Sequence, residues 1–397
     1  MEKQAKVPKL RFPGFTGEWE ERKLGEVVDF LDEQREPLEA GKREKGIYPY
    51  YGASGIIDYV KDYLFEDELI LLSEDGANII DRNSRVCFLA RGKYWVNNHA
   101  HVMKSKEGHC NGFLCESLER LNYVQYNTGT AQPKLNQEVC KKILFMVPLS
   151  YTEEKMIFSV LNLCDSIIKL HQRKLAHLQK KKKSLLQKMF PKKGERFPEL
   201  RFPGFTGEWT LKKLGECTEL LTGYPFESKQ FMEAGIKLVR GMNVKRGYLD
   251  MSHDICEYWA SSKGLERYLL QKKDIVIQMD GALIGKSYAM LESEHIPSLL
   301  VQRVTRIRCK ANEPDYVYQS IQKDFLNYIK GIKTETAIPH LSLNDIRNYV
   351  IDIPENTHEQ KKIGSFFHEL DNLIILHQRK LSHLKKQKQA LLQQMFV

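Results

Sequence analysis

The sequence predicts an α+β protein. Two mixed α/β domains are separated by two long helices that pair as an antiparallel coiled coil, and an internal pseudo-two-fold relates the halves. Two duplications and one heptad seam carry that expectation. Pro8 to Glu26 returns as Pro198 to Glu216 with fifteen of nineteen positions identical, PKLRFPGFTGEWEERKLGE against PELRFPGFTGEWTLKKLGE. Cys164 to Phe190 returns as Leu370 to Phe396 with seventeen of twenty-seven identical, including His-Gln-Arg-Lys-Leu and a closing Met-Phe. Matches of this quality mark a tandem repeat. The offsets are 190 and 206, so the stretch between the two motifs grew by 16 residues in the second half. The segments from about 27 to 160 and 217 to 366 are only faintly alike. Two inserts have diverged inside a frame that was kept. The expected divisions are a first domain over 1–150, a helical region over 151–194, a second domain over 195–356 and a second helical region over 357–397.

A chain of 397 residues with 42% hydrophobic content has room for two real cores. No apolar run approaches the roughly 18 residues of a membrane span, and MEKQAKVPKL lacks the apolar centre of a signal peptide, so a cytoplasmic protein without a membrane partner is expected. The eight cysteines form no Cys-x-x-Cys, and His109-Cys110 with Cys115 has no second ligand pair at zinc spacing. No metal site is expected.

A net charge of +10 points to a polyanionic partner. The charge is concentrated: Ser166 to Gly194 holds ten Lys or Arg and no acid, with Lys180 to Lys183 unbroken. Clustered cations of this kind serve phosphate attraction, although a solvated helix face has the same composition.

The heptad seam runs through the second duplication. Cys164, Ile168, His171, Leu175, Leu178, Lys182, Leu185 and Met189 alternate in steps of four and three, and Leu370, Ile374, His377, Leu381, Leu384, Lys388, Leu391 and Met395 repeat the series. A seam present twice in one chain is most simply satisfied by packing on itself. Polar His171, Lys182, His377 and Lys388 interrupt it, as residues that set register commonly do. Pro191 and Gly194 end the first helix. Ile167, Leu170, Leu186 and Phe190 widen the apolar stripe, as Leu373, Leu376, Leu392 and Phe396 do in the second copy, and this extra edge is expected to dock a further protein.

Both variable segments read as short strands broken by Gly, Asp and Asn: Leu69 to Leu72, Val86 to Leu89, Trp95 to Val96 and Val102, then Lys237 to Val239, Ile275 to Gln278, Ser287 to Met290 and Val301 to Ile307. LLSEDGANI at Leu71 matches VIQMDGALI at Val276, each a strand running into an Asp-Gly turn. Gly281 to Ser287 imitates a phosphate loop but has three residues between its glycines instead of four, and Asp280 stands where the first Gly belongs. No dinucleotide fingerprint, nucleophile elbow, zinc helix or amino-methyltransferase tetrapeptide is present, so no catalytic residue and no cofactor are assigned to this chain.

What the segments offer is polar and aromatic loop tips. Tyr50, Tyr51, Asn97, Asn98, His99 and Lys134 in the first, with Arg240, Asn243, Lys245, Arg246, Lys286, Gln302, Arg303 and His340 in the second, are the candidate DNA contacts. Arg and Lys match guanine edges and Asn or Gln match adenine edges in the major groove. Each segment closes alike, Thr128 to Asn136 and Thr334 to Ser342, before Val147-Pro148 or Ile353-Pro354 and a helix start with Glu153 or Glu359.

Together these motifs resemble the specificity subunit of a type I restriction-modification system, over the whole length of the chain. The resemblance implies two target-recognition domains and two conserved helical regions forming an antiparallel coiled coil, with no activity of its own. It implies double-stranded DNA, two methyltransferase subunits and restriction/translocase subunits as partners, with S-adenosylmethionine, ATP and Mg on those partners. A helical rod of about 30 residues, roughly 45 Å, suits half-sites one DNA turn apart. The alternative reading is a coiled-coil scaffold with two protein-binding β-rich domains; DNA binding by the purified chain separates the two.

Overall fold

The computed structural model describes residues 6–281, 284–332 and 340–397. Ala282 and Leu283 of the glycine-flanked loop, and 334–339 of the second closing motif, lie outside the described residues. The chain forms two compact units, one holding Met1–His171 with Lys380–Val397 and the other Gln172–Arg379. Each unit thus combines one variable segment, the start of the long helix that follows it, and the end of the other long helix.

In the first unit a two-stranded pair, Glu20–Lys23 antiparallel to Leu144–Val147, joins the two ends of the variable segment. Between them, one antiparallel sheet has the order Val28–Phe30, Ala100–Ser105, Leu69–Ser73, Cys87–Ala90. A second sheet has the order Gly55–Val60, Lys45–Gly52, Lys93–Val96, Phe65–Glu66, with its two central strands parallel. Leu69–Ser73 is buried along its length because both its faces are covered. Strand alternation sends Ile70 and Leu72 to the core under helix Asn111–Arg120, and Leu69 and Leu71 to a core shared with Tyr94 and Val96 of the second sheet. The result is a helix, a sheet and a sheet in three layers.

The second unit repeats the plan. Trp209–Lys213 pairs with Val350–Pro354, and the four-stranded sheet has the order Thr218–Thr222, Val304–Cys309, Ile275–Gln278, Tyr288–Met290. Its smaller sheet is Glu257–Trp259, Ile236–Val239, Ser298–Leu300. Again Ile275 and Ile277 face one core, with helix Pro314–Ile332, and Val276 faces another. Common descent, faint in the letters, is plain in the strand order.

The long helices are Tyr151–Met189 and Thr357–Gln394, 39 and 38 residues. Each is about 58 Å long, exceeding the 30-residue rod because it begins immediately beyond the closing strand rather than at the heptad repeat. Every expected seam position is buried or half-buried, from Ile168 to Met189 and from Ile374 to Met395. Pairing is antiparallel within each unit. In the second, advancing along the first helix from Lys182 to Phe190 moves the partner back from Asp371 to Phe367. In the first, Asp165 meets Lys388 at 2.7 Å, while the earlier Ile157 and Leu161 share a core with the later Met395 and Phe396. The seam lysines are therefore ion-paired, Lys388 with Asp165 and Lys182 with Asp371, and Lys182 also donates a hydrogen bond to Gln322 Oε1 at 2.6 Å. Burial pulls the Lys182 ammonium below its ordinary value even beside Asp371.

The repeated opening motif is a clamp. Arg11 holds Glu153 in a two-point fork at 2.7 and 2.8 Å, and Arg201 holds Glu359 at the same distances. One residue earlier, the Leu10 N–H donates to Gln394 O and the Leu200 N–H to Lys188 O, both at 2.8 Å, satisfying carbonyls that a helix end leaves open. The clamp binds the start of one long helix and the end of the other. Beneath it, Phe396 stacks on Phe113 at 5.3 Å and meets Trp19 edge-on, while Phe190 stacks on Tyr316 at 5.4 Å and meets Trp209 edge-on. Leu186, Phe190 and Phe396, with Leu392 packed beside the last, therefore close the chain's own cores and are not part of an outward docking edge. Phe396→Ala removes a buried ring and should cost the first unit about 3–5 kcal/mol. Hydrogen exchange should accelerate in Asn111–Arg120 and stay unchanged in Pro314–Ile332; equal acceleration in both would contradict the assignment of Phe396 to one core.

Candidate nucleic-acid interface

Three loops meet at the Asp75-Gly76 turn. Asp75 bridges Lys134 in antiparallel fashion, and its Oδ2 lies 2.7 Å from His99 Nδ1. The Gly76 N–H donates to Pro133 O at 3.0 Å, with Gly76 at a φ of +112° that a side chain would oppose. Leu135 N–H donates to Glu74 O, and Glu74 N–H to His99 O, at 2.7 and 2.9 Å. Asn127 Oδ1 accepts from the Gly129 and Lys134 N–H groups, shaping the closing loop. The rim so formed exposes Asn98, His99 and Lys134.

The second unit builds the same rim with different residues. Asp280 bridges His340, the two side chains are hydrogen-bonded, and Arg303 Nε stands 3.3 Å from Asp280 Oδ2. Met279 N–H donates to Arg303 O at 2.8 Å and Leu341 N–H to Met279 O at 2.7 Å. Gln302, Arg303 and His340 are exposed. Arg303 has a φ of +68°, a left-handed conformation that is uncommon for a residue with a Cβ and that concentrates at binding loops. Asp75 and Asp280, His99 and Arg303, and Lys134 and His340 thus occupy corresponding places.

Sequence-distant cations also converge. Lys180 and Lys183 of the first long helix line one cleft of about 1740 Å³ in the second unit together with Arg246 and Lys286. All four are exposed. Cations collected along a cleft suit phosphates, and the mixed donors of the rims suit base edges.

Three candidates belong to the cores instead. Tyr50 is buried, its hydroxyl accepting from the Leu38 N–H at 2.9 Å under the Arg43 guanidinium. Asn97 is buried and accepts from the His99 N–H, and Asn243 is fully buried between the Arg240 N–H and Asp250 O. A side chain without exposed surface reaches no base, so these shape the loops rather than read. Half-buried Arg240 donates to Ile255 O at 2.6 Å, and half-buried Tyr51 packs edge-on against Tyr94; Lys245 is half-buried. Within the lysine run, Lys182 is a seam residue and not a surface cation, because every heptad position turns inward. The polar tip Asn97 to His101 ends on a residue that is buried rather than exposed, and His101 forms with Asp32, Arg35 and Glu74, which the sequence did not single out, a charged cluster directly behind the first rim. The alternation of His101 with exposed His99 across a strand start was the available signal.

A frame of paired long helices, a sheet domain and a polar rim centred on an Asp is thus present twice in the chain. The family model for "Type I restriction modification DNA specificity domain" matches residues 16–180 and again 206–386. The chain belongs to that family. It is 36% identical over 135 residues, 34% of each chain, to a putative type I restriction enzyme specificity subunit of Haemophilus influenzae. It is 22% identical to the MjaVIII specificity subunit of Methanocaldococcus jannaschii over 94% of this chain and 91% of that one. The fold is that of the S subunit of a type I restriction-modification system from M. genitalium, with a TM-score of 0.72, 16% identity, and 98% and 99% of the two chains covered.

Replacing Lys180, Lys181 and Lys183 with Glu while keeping Lys182 should weaken binding to all DNA sequences about equally and flatten the dependence of log K on log salt. A change in which bases are preferred would show that the cleft reads sequence.

Proposed function

We propose that this chain is a non-catalytic DNA specificity subunit that reads a bipartite, asymmetric sequence in double-stranded DNA, one half-site per domain. The observation that carries the reading is the rim built twice on one backbone plan with different exposed residues: His99, Asn98 and Lys134 in one, Arg303, Gln302 and His340 in the other. The same plan with different donors fits two readers of unlike half-sites. Lys286 and Arg246, with the lysines of the cleft, take the role of phosphate contacts.

Two methyltransferase subunits are the proposed partners, and through them restriction/translocase subunits. S-adenosylmethionine, ATP and Mg belong to those partners, and the setting is the cytoplasm. An exposed apolar stripe present on both long helices supports two copies of one partner: Leu163 and Leu170 on the first, Phe366, Leu373 and Leu376 on the second. Water-exposed leucines at helical spacing are costly unless covered.

Exchanging residues 27 to 147 for the equivalent segment of a relative should change one half of the methylated sequence and leave the other half and the spacer as they were. Mapping modified adenines in cells carrying the chimera decides this; two altered halves would exclude independent readers. The paired helices are the proposed spacer ruler. Seven residues inserted after Leu178 and seven after Ile374 keep the heptad and lengthen the pair by about 10.5 Å, close to three base pairs. Both half-sequences should persist in the methylome with the spacer longer by about that amount, and an unchanged spacer in an active complex would assign the distance to the partners.

A further inference from the structure

The first rim rests on a cluster of four charges drawn from the same loops that form it. His101 is buried, with Nδ1 2.7 Å from Asp32 Oδ2 and Nε2 2.7 Å from Leu135 O. A ring whose two nitrogens both face acceptors donates from both, which is the imidazolium form. Burial opposes that charge most strongly of any single influence, but Asp32 and the neighbouring Cys140 together outweigh it and the His101 pKa rises to about 10. Asp32 further accepts from the Val102 N–H at 2.9 Å and from Gln137 Nε2 at 3.0 Å. Arg35 donates to the Asp32 and Ala100 carbonyls and, at 2.7 Å, to Glu74. Glu74 in turn lies 3.3 Å from Lys134 Nζ.

Each rim loop is tied into this cluster. Glu74 precedes the Asp75-Gly76 turn, His101 follows Asn98 and His99, and Leu135 and Gln137 follow Lys134. The matching places in the second unit that are among the described residues carry other side chains. Strand pairing sets Leu72 opposite His101 in one unit and Ile277 opposite Thr305 in the other, and the residue corresponding to Glu74 is the buried Met279. Thr305 is fully buried, with no hydrogen-bond partner for Oγ1 among the described residues. Behind the first rim stands an ionic cluster; behind the second, whose surface carries the Asp280, His340 and Arg303 contacts, stand the buried Met279 and Thr305.

We propose that His101, Asp32, Arg35 and Glu74 are the positioning residues of the first reading rim, so that base discrimination at one half-site alone depends on them. This rests on the reading of the rims as DNA readers. An ionic network anchored on a buried histidine, with its other members half-buried and mutually hydrogen-bonded, has few alternative arrangements and so holds a loop narrowly.

The test uses the assembled methyltransferase complex on a DNA library randomised in both half-sites, with modified adenines read by sequencing. His101→Leu and Glu74→Gln should each lower discrimination at one half-site by about tenfold, the scale of a base contact misplaced, and leave the other half-site unaltered. Thr305→Val, which removes a hydroxyl that has no partner, should alter neither. Glu74→Gln keeps the His101–Asp32 pair and so decides the matter if His101→Leu fails to assemble. Undiminished discrimination in both variants, or an equal loss at both half-sites, overturns the positioning role. The double variant His99→Ala with Lys134→Ala is run alongside. If it too leaves base preference untouched, the rim is not a reader; if it alone shifts preference, the rim reads and the cluster does not position it.

Discussion

Everything in this molecule depends on how each hydrophobic core is closed. The variable segment of the first half, with Trp19 and Phe113, leaves an aromatic socket that its own half of the sequence does not fill, and Phe396 of the last helix fills it. The second half leaves the same socket at Trp209 and Tyr316, filled by Phe190 of the first helix. Burial of a large ring is among the strongest single contributions to a core, so helix pairing and domain folding are one process here. The Arg-Glu forks and the Leu N–H bonds act at the same place, adding direction to what apolar contact alone leaves loose.

This constraint explains why the duplicated motifs survived while the inserts drifted. Pro-x-Leu-Arg meets both long helices at once, so a change in it disturbs two elements. Leu69 to Leu72 faces two cores and is apolar throughout, as Ile275 to Ile277 is in the second unit, which keeps the two strands alike in character. Loop residues answer to no such packing. Their freedom is what allows two rims on one plan to carry His and Lys in one case and Arg and His in the other.

The frame was legible in the sequence because its signals are periodic. Heptad spacing marks every seam residue, and the repeats mark the opening motif that carries Arg11 and Arg201 without announcing their pairing to Glu153 and Glu359. The candidate interface was legible only as residue types in loops. Composition separates polar from apolar but not reading from shaping: Asn97 and Asn98 are adjacent, yet one is buried holding the turn and the other is exposed. Lys182 shows the same limit from the other side, since a run of four lysines looks uniform until the helical period turns one of them inward. Ionic clusters such as that around His101 come from four separate stretches, and no local spacing announces them.

The socket filled by Phe396 also orders events in time. Synthesis delivers the first variable segment early, and its aromatic core stands incomplete until residues 395 and 396 have left the ribosome. Contacts that span nearly the whole chain form late, because the loop between them must close before they are rewarded. The second unit needs no such wait, since Phe190 precedes Trp209 by fewer than twenty residues. A chain interrupted before residue 395 would therefore present one finished domain and one with its apolar interior open, a form prone to misfolding. Emergence of Phe396 is, in this fold, the step that seals the domain made first.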